Sequence, residues 1–182
     1  NNDDSFKERM KIMPALVAIV MGSDSDLPVM TKAAEVLEEF AVDYSMHILS
    51  AHRTPDEALA LARNAQAEGY KVLIAGAGMA AHLPGVLAAQ TTLPVIGVPL
   101  ASPTTGGVDA LWSIVQMPPG VPVATVAING AKNAAYLALE ILALTDPKLQ
   151  VKLAESRRAM RDEVLAKNQR LVEKGFREYT KG

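Results

Sequence analysis

The chain contains no cysteine, which excludes disulfides, thiolate metal sites and a cysteine nucleophile and gives no sign of an oxidising compartment. Aromatic residues are scarce, with one Trp, four Tyr and three Phe in 182 residues. The core of the single domain expected at this length must therefore be built from Ala, Val, Ile and Leu. Neither charge sign is in excess: 18 basic and 20 acidic residues leave a formal net charge of -2, without the basic footprint of a nucleic-acid binder. Every apolar run stops at Gly, Pro or a charge well short of the roughly 20 residues of a membrane-spanning helix. Residues 1–13, NNDDSFKERMKIM, lack the apolar core and cleavage site of a secretory signal. What remains is a protein of small molecules or protein partners, expected in the cytoplasm, with a flexible polar tail over 1–13 and one α/β domain over 14–182.

The pattern from Ala15 onward is short β-branched runs alternating with longer segments of helical period, the signature of a parallel sheet wrapped by helices. Strands are expected at 16–21, 44–49, 71–75, 94–98 and 123–127. Several are apolar at consecutive positions, as strands covered on both faces tend to be. In 26–40, Met30, Ala33, Ala34 and Leu37 recur at i, i+3, i+4, i+7 and predict a helix burying one face. A second helix is expected over 55–67, with Thr54 as N-cap and Pro55 at the first helical position. An Ala-rich helix follows at 130–144. After Asp146 and Pro147 a long charged helix carries Leu149, Leu153, Met160, Val164 and Leu171 as a stripe, to be covered by its own domain or by another subunit.

In an open parallel sheet, ligands bind beyond the carboxyl ends of the strands, and the chemically loaded residues fall there. The first strand leads into Gly22, Ser23, Asp24, Ser25 and Asp26, a hydroxyl-rich turn opening a helix. Such a turn offers N–H groups and a dipole to a phosphate, with Asp26 placed for sugar hydroxyls; helix capping alone is the competing explanation. The second leads into Ser50, Ala51, His52, Arg53 and Thr54. Arg53 is a permanent cation able to clamp a phosphate, and histidine is the residue type suited to proton transfer near neutrality. A salt bridge and a structural histidine are the alternatives here. The third leads into Gly76, Ala77, Gly78, Met79, Ala80, Ala81, His82, Leu83, Pro84 and Gly85, a bare backbone that a flat ring or carboxylate can approach. His47, inside the second strand, reads as structural. The coincidence of three such loops at one sheet edge favours a ligand site.

The segments MGSDSD at 21–26, SAHRTP at 50–55, GAGMAAHLPG at 76–85, PVIGVP at 94–99 and SIVQMPPGVPVATVAI at 113–128 closely resemble the class I N5-carboxyaminoimidazole ribonucleotide mutases, a bacterial family of purine synthesis. The resemblance spans nearly the whole stretch from Val17 to Leu144, and runs of six to sixteen residues in order are far more specific than a lone glycine motif. It implies a flavodoxin-like three-layer sandwich with a central parallel sheet and a long C-terminal helix. It also implies conversion of N5-carboxyaminoimidazole ribonucleotide into 4-carboxy-5-aminoimidazole ribonucleotide, with no metal and no organic cofactor. Carried over by motif, His52 resembles the general acid and base. Gly22, Ser23, Ser25, Asp26, Ser50, Ala51 and Arg53 resemble phosphate and ribose ligands, and Gly76, Ala77, Gly78, Met79, His82 and Leu83 the wall around the base and migrating carboxyl group. The family's habit further implies a homo-octamer and a functional link to the ATP-dependent synthetase that makes the substrate.

Two departures stand out. Position 79 is Met where members of the family commonly have Gly, and the loop 101–107, with Pro103, Thr104 and Thr105, differs from the familiar forms. Two rival readings are set against the mutase. A class II carboxylase, which uses carbon dioxide directly, typically carries Lys where this chain has Arg53. A non-catalytic flavodoxin-like carrier or ligand sensor would in the first case stack a flavin on Trp or Tyr, and the three loops contain neither.

Overall fold

The computed structural model describes residues 15–179; the polar tail expected over 1–13 lies outside them. Val17–Met21 (β1) is buried at every position, as its uninterrupted apolar run requires. It pairs in parallel with Tyr44–Ile48 (β2) on one side and Val72–Gly78 (β3) on the other, Val17 standing opposite both Tyr44 and Val72. Val95–Leu100 (β4) pairs with β3, and the two-residue Ala124–Thr125 (β5) with β4. The order is β2-β1-β3-β4-β5, all parallel. This is the flavodoxin-like order, whose strand sequence reverses direction between β1 and β3.

Alternation along the buried strands sends successive side chains to opposite faces. One face, with Ala18, Val20, Leu73, Ala75 and Val95, packs in a cluster with Ala58 and Ala62 of Pro55–Asn64 (α2), Leu83 and Leu87 of Leu83–Ala88 (α3), and Ala110 and Ile114 of Val108–Val115 (α4). The other face meets Leu27–Glu39 (α1), whose Met30, Ala33, Ala34 and Leu37 are buried at the expected spacing. The ring of Phe40 just beyond α1 stands edge-on to Tyr136 of Ala131–Ala143 (α5), 5.8 Å between centroids. Helices thus cover both faces of the sheet, the three-layer arrangement expected from the sequence.

Several boundaries differ from expectation for tertiary reasons. The glycine-rich run at 76–78 is not yet loop but the end of β3, with Gly76 opposite Val98 and Gly78 opposite Leu100. A Cβ on Gly76 would collide with the Met30 side chain, so this glycine lets α1 lie close to the sheet. Gly97 does the same on the other side, where a Cβ would run into Ile114 of α4 and sit 2.8 Å from Val123 Cγ1. β4 likewise outruns its expected end, and Pro99 is tolerated there because β5 pairs only as far as Gly97. α2 stops earlier than expected, and α3 and α4 were not foreseen. Thr54 stands at the N-cap of α2, but its hydroxyl makes no cap bond; it accepts from Ser50 N at 2.8 Å and donates to Ser50 O at 3.2 Å.

The chain divides into one compact unit running to Ile141 and a second from Leu142 onward. In the second, Asp146 caps Pro147–Glu178 (α6) by accepting from Lys148 N and Leu149 N, with Pro147 at the first helical position. Leu149 and Leu153 are buried, whereas Met160, Val164 and Leu171 of the same stripe are exposed, as is Phe176. Gly175 leaves helical geometry at φ 69, ψ 162. No helix among the described residues is long and apolar enough to cross a membrane.

Candidate active site

The ends of β1 through β4 open into one cleft of about 690 Å³. The first wall is the turn after β1. Ser23 begins a 3-10 turn, Asp24–Asp26, with a reciprocal cap: its hydroxyl accepts from Ser25 N, and Asp26 Oδ2 accepts from Ser23 N at 3.1 Å. Asp26 itself makes no side-chain cap bond to α1. Partial burial raises the Asp26 pKa above its ordinary value, against the opposing pull of the Ser23 and Gly22 N–H groups and the Arg53 charge. Its carboxyl is therefore held by the backbone and faces ligand space with its remaining acceptor capacity.

The second wall is the turn after β2. Ser50 Oγ accepts from both His52 N at 3.3 Å and Arg53 N at 3.2 Å, which fixes the backbone that carries these two side chains. Arg53 Nη2 donates to Gly22 O at 2.8 Å, tying the second loop to the first. Among the residues lining the cleft it is the one permanent cation. The third wall begins where β3 ends. Met79 sits at φ 52, and the bonds Ala81 N to Met79 O and His82 N to Ala80 O curl the chain into α3. This brings His82 Nδ1 to 2.8 Å from His52 Nε2, the rings standing nearly perpendicular at 80° with centroids 4.9 Å apart. One of these two nitrogens must donate and the other accept. The pair therefore shares a single proton along that line and stands open to the cleft.

Gly22, Ser23, Ser25, Asp26, Ser50, Ala51, His52, Arg53, Ala77, Gly78, Met79, His82 and Leu83 all line this space. Gly76 does not: it is buried within β3 against Met30, and its service is to helix packing. Ala80 of the third loop lines the cleft too, and Leu100, Ala101, Ser102 and Pro103, not among the site residues expected from the sequence, complete it from the fourth strand end. The same rule that singled out the other three strand ends pointed there, and Ser102 and Thr105 are hydroxyl residues of that loop. Asn129 Oδ1 accepts from Ala101 N, and Thr105 Oγ1 bonds both Ser102 Oγ and Asp109 Oδ1, the last at 2.6 Å. That bond, with support from the Ala110 N–H, holds the Asp109 carboxyl below its ordinary pKa. His47 is elsewhere: its Nε2 lies 2.8 Å from Ser45 Oγ, which in turn contacts Tyr70 OH at 2.8 Å. No cluster of three or more metal-ligating side chains occurs among the described residues.

Chemically, the arrangement unites N–H groups, hydroxyls and a guanidinium of the kind that can hold an anion with a polar carboxyl, a bare apolar wall and a histidine pair. A family model described as AIR carboxylase matches residues 16–163. The chain is 59% identical over 163 residues to the N5-carboxyaminoimidazole ribonucleotide mutase of Thermotoga maritima, covering 90% of this chain and 95% of that one. It is 57% identical to the Pyrococcus abyssi protein of the same name, covering 95% and 99%. A crystal structure of PurE from Treponema denticola superposes with a TM-score of 0.78 at 29% identity, covering 85% of this chain and 97% of that one. Fold order, match length and identity agree, and the chain belongs to the AIR carboxylase family.

Proposed function

We propose that this chain is the mutase that converts N5-carboxyaminoimidazole ribonucleotide into 4-carboxy-5-aminoimidazole ribonucleotide in purine synthesis, with His52 as general acid and base. The observation that carries the reading is the His52–His82 hydrogen bond at the meeting of two loops, inside a cleft whose other walls suit a phosphorylated sugar. The mutase names of the relatives in Thermotoga maritima and Pyrococcus abyssi support the substrate.

In this mechanism the N–H groups and hydroxyls of the turn from Ser23 to Asp26, the Ser50 hydroxyl and the free arms of Arg53 hold the phosphate. Asp26 accepts from ribose hydroxyls. The base lies against the bare wall of Ala77, Gly78 and Met79. Protonated His52 delivers its proton to the carbamate nitrogen, and the N–C bond breaks with its electron pair on nitrogen, freeing carbon dioxide. Ring carbon 4 then attacks that carbon dioxide, forming the new C–C bond. His52, now neutral, removes the proton from carbon 4 and returns to its starting state. No atom is gained or lost, as an isomerisation requires. His82 orients the His52 ring and takes up the second nitrogen's hydrogen bond.

The test offers purified protein freshly made N5-carboxyaminoimidazole ribonucleotide in one reaction and 5-aminoimidazole ribonucleotide with carbon dioxide in another. Fast formation of the 4-carboxy product from the first substrate is the expected result. Product from the second alone would make the chain a carboxylase. Assembly belongs to the same proposal: a homo-octamer is supported by exposed Val151, Met160, Val164 and Leu171 on α6 and by Val108, Trp112 and Val115 on α4. Light scattering at micromolar concentration should find no monomer near 19.3 kDa. The lability of a carbamate supports handover from the ATP-dependent synthetase that makes it, in the cytoplasm.

A further inference from the structure

Met79 holds a backbone conformation that its side chain disfavours. At φ 52 it lies in the left-handed region, which glycine enters freely and residues with a Cβ rarely do. The turn itself does not call for methionine, since a glycine carbonyl at 79 would accept the same bond from Ala81 N at 2.8 Å, and the bond from His82 N to Ala80 O does not involve residue 79's side chain. Strain kept at a ligand site is the mark of a side chain retained for what it does there.

The surroundings say what that is. Next to Met79 the wall is small: Ala77, Gly78 and Ala80, with Ala51 from the second loop. The other large apolar residues of the cleft, Leu83 and Leu100, are buried at 3% and 4% exposure and committed to the core, whereas Met79 is 65% exposed. It is the one long apolar side chain lining the cleft with room to move. Methionine has three rotatable bonds and a polarisable sulfur that packs well on a ring edge or face.

We propose that Met79 is the retention device of the site: its side chain folds over the bound heterocycle and shuts in the carbon dioxide freed between the two half-reactions. This rests on the mutase reading given above. Carbon dioxide is small and neutral, so no charge in the cleft holds it and only a physical cover keeps it beside ring carbon 4. When it escapes, the carbamate has lost its N–C bond, nitrogen has kept the electron pair and taken the His52 proton, and 5-aminoimidazole ribonucleotide is left as a by-product.

The test compares the parent with Met79→Gly and Met79→Leu, measuring 4-carboxy product and 5-aminoimidazole ribonucleotide formed per substrate consumed, with the enzyme-free decay subtracted. Met79→Gly relieves the left-handed strain, so it should unfold at the parent's temperature or above, and misfolding is not available as an explanation. Its ratio of free amine to product should rise roughly fivefold, less than the ~10-fold that one methylene contributes in an enclosed pocket, because this cleft is open. Met79→Leu keeps an apolar cover and should retain the parent's ratio. A parent-like ratio in Met79→Gly, or equal ratios in the two variants, would overturn the proposal. A parent that forms no product from the carbamate would instead overturn the mutase reading.

Discussion

His47 and His52 stand on either side of the end of β2, and the two regions put the same side chain to opposite uses. Within the strand, His47 Nε2 meets Ser45 Oγ, which meets the hydroxyl of the buried Tyr70, so that ring nitrogen is engaged inside the protein. Burial pushes its pKa below the ordinary histidine value, against a weaker upward pull from Glu68. Beyond the strand, His52 is carried on a turn fixed by Ser50, and its partner is a second titratable ring rather than a hydroxyl. Residue type does not separate these two histidines; what separates them is the partner each ring meets and whether it lines the cleft, and on those grounds the proposed mechanism gives the proton to His52.

The largest effect expected from this contrast is on turnover. His52→Asn keeps a polar side chain but cannot shuttle a proton, so turnover should fall by about 10⁴-fold, the upper end for general acid–base catalysis, while calorimetry finds product binding retained. His47→Gln should leave turnover unchanged. Should the His52 variant isomerise within about tenfold of the parent, His82 becomes the proton carrier. Next in size is Arg53→Ala, which removes the cleft's permanent cation and should weaken binding of a phosphorylated ligand by about 1.5–3 kcal/mol, the range for a hydrogen bond to a charged group. Undiminished affinity would move the phosphate site. Smaller again is Tyr70→Phe, which strips the far end of the His47 chain and should lower unfolding free energy by about 0.5–1.5 kcal/mol, read from denaturant midpoints.

The smallest is a pH effect. The folded pKa of His47 lies below its unfolded value, so the unfolded chain binds more protons in the interval between them. The stability contributed by neutral His47 is therefore complete above the ordinary value of about 6.5 and is lost as pH falls through the folded pKa. The unfolding temperature should drop on acidification through this window, and His47→Gln should drop less. Equal slopes would place the acid sensitivity in other groups.

How much of this was readable in the chain depended on whether the cause was local. The buried run at 17–21, the Met30–Leu37 spacing and the Asp146 cap each carry their cause in neighbouring residues, and each formed where expected. Gly76 and Gly78 read as loop because glycine usually interrupts strands, whereas Gly76 is glycine for the sake of Met30, which is distant in sequence. α3 and α4, six and eight residues long, were too short for a period to declare itself beside Gly and Pro. The loops after the first three strands were found because strand ends were known to gather ligands. The loop at 101–107 reads from the sequence as a departure able to affect pocket closure, but which of its residues reach the cleft depends on where β4 ends. Nor does any pattern of letters disclose that Met79 has a positive φ.

The bond from Arg53 to the Gly22 carbonyl bears on the speed of capture as well as its strength. A free arginine must surrender about 2 kcal/mol of rotamer entropy when it closes on an anion. Here one N–H is already anchored across the two loops, so much of that ordering is complete when the chain has folded. In the proposed binding mode an arriving phosphate would meet a guanidinium already tied to the Gly22 carbonyl, with four N–H groups still to offer. Encounter and docking then become nearly one event, and an Arg53→Lys enzyme, without the planar fork, would have to search for the geometry afresh with each ligand.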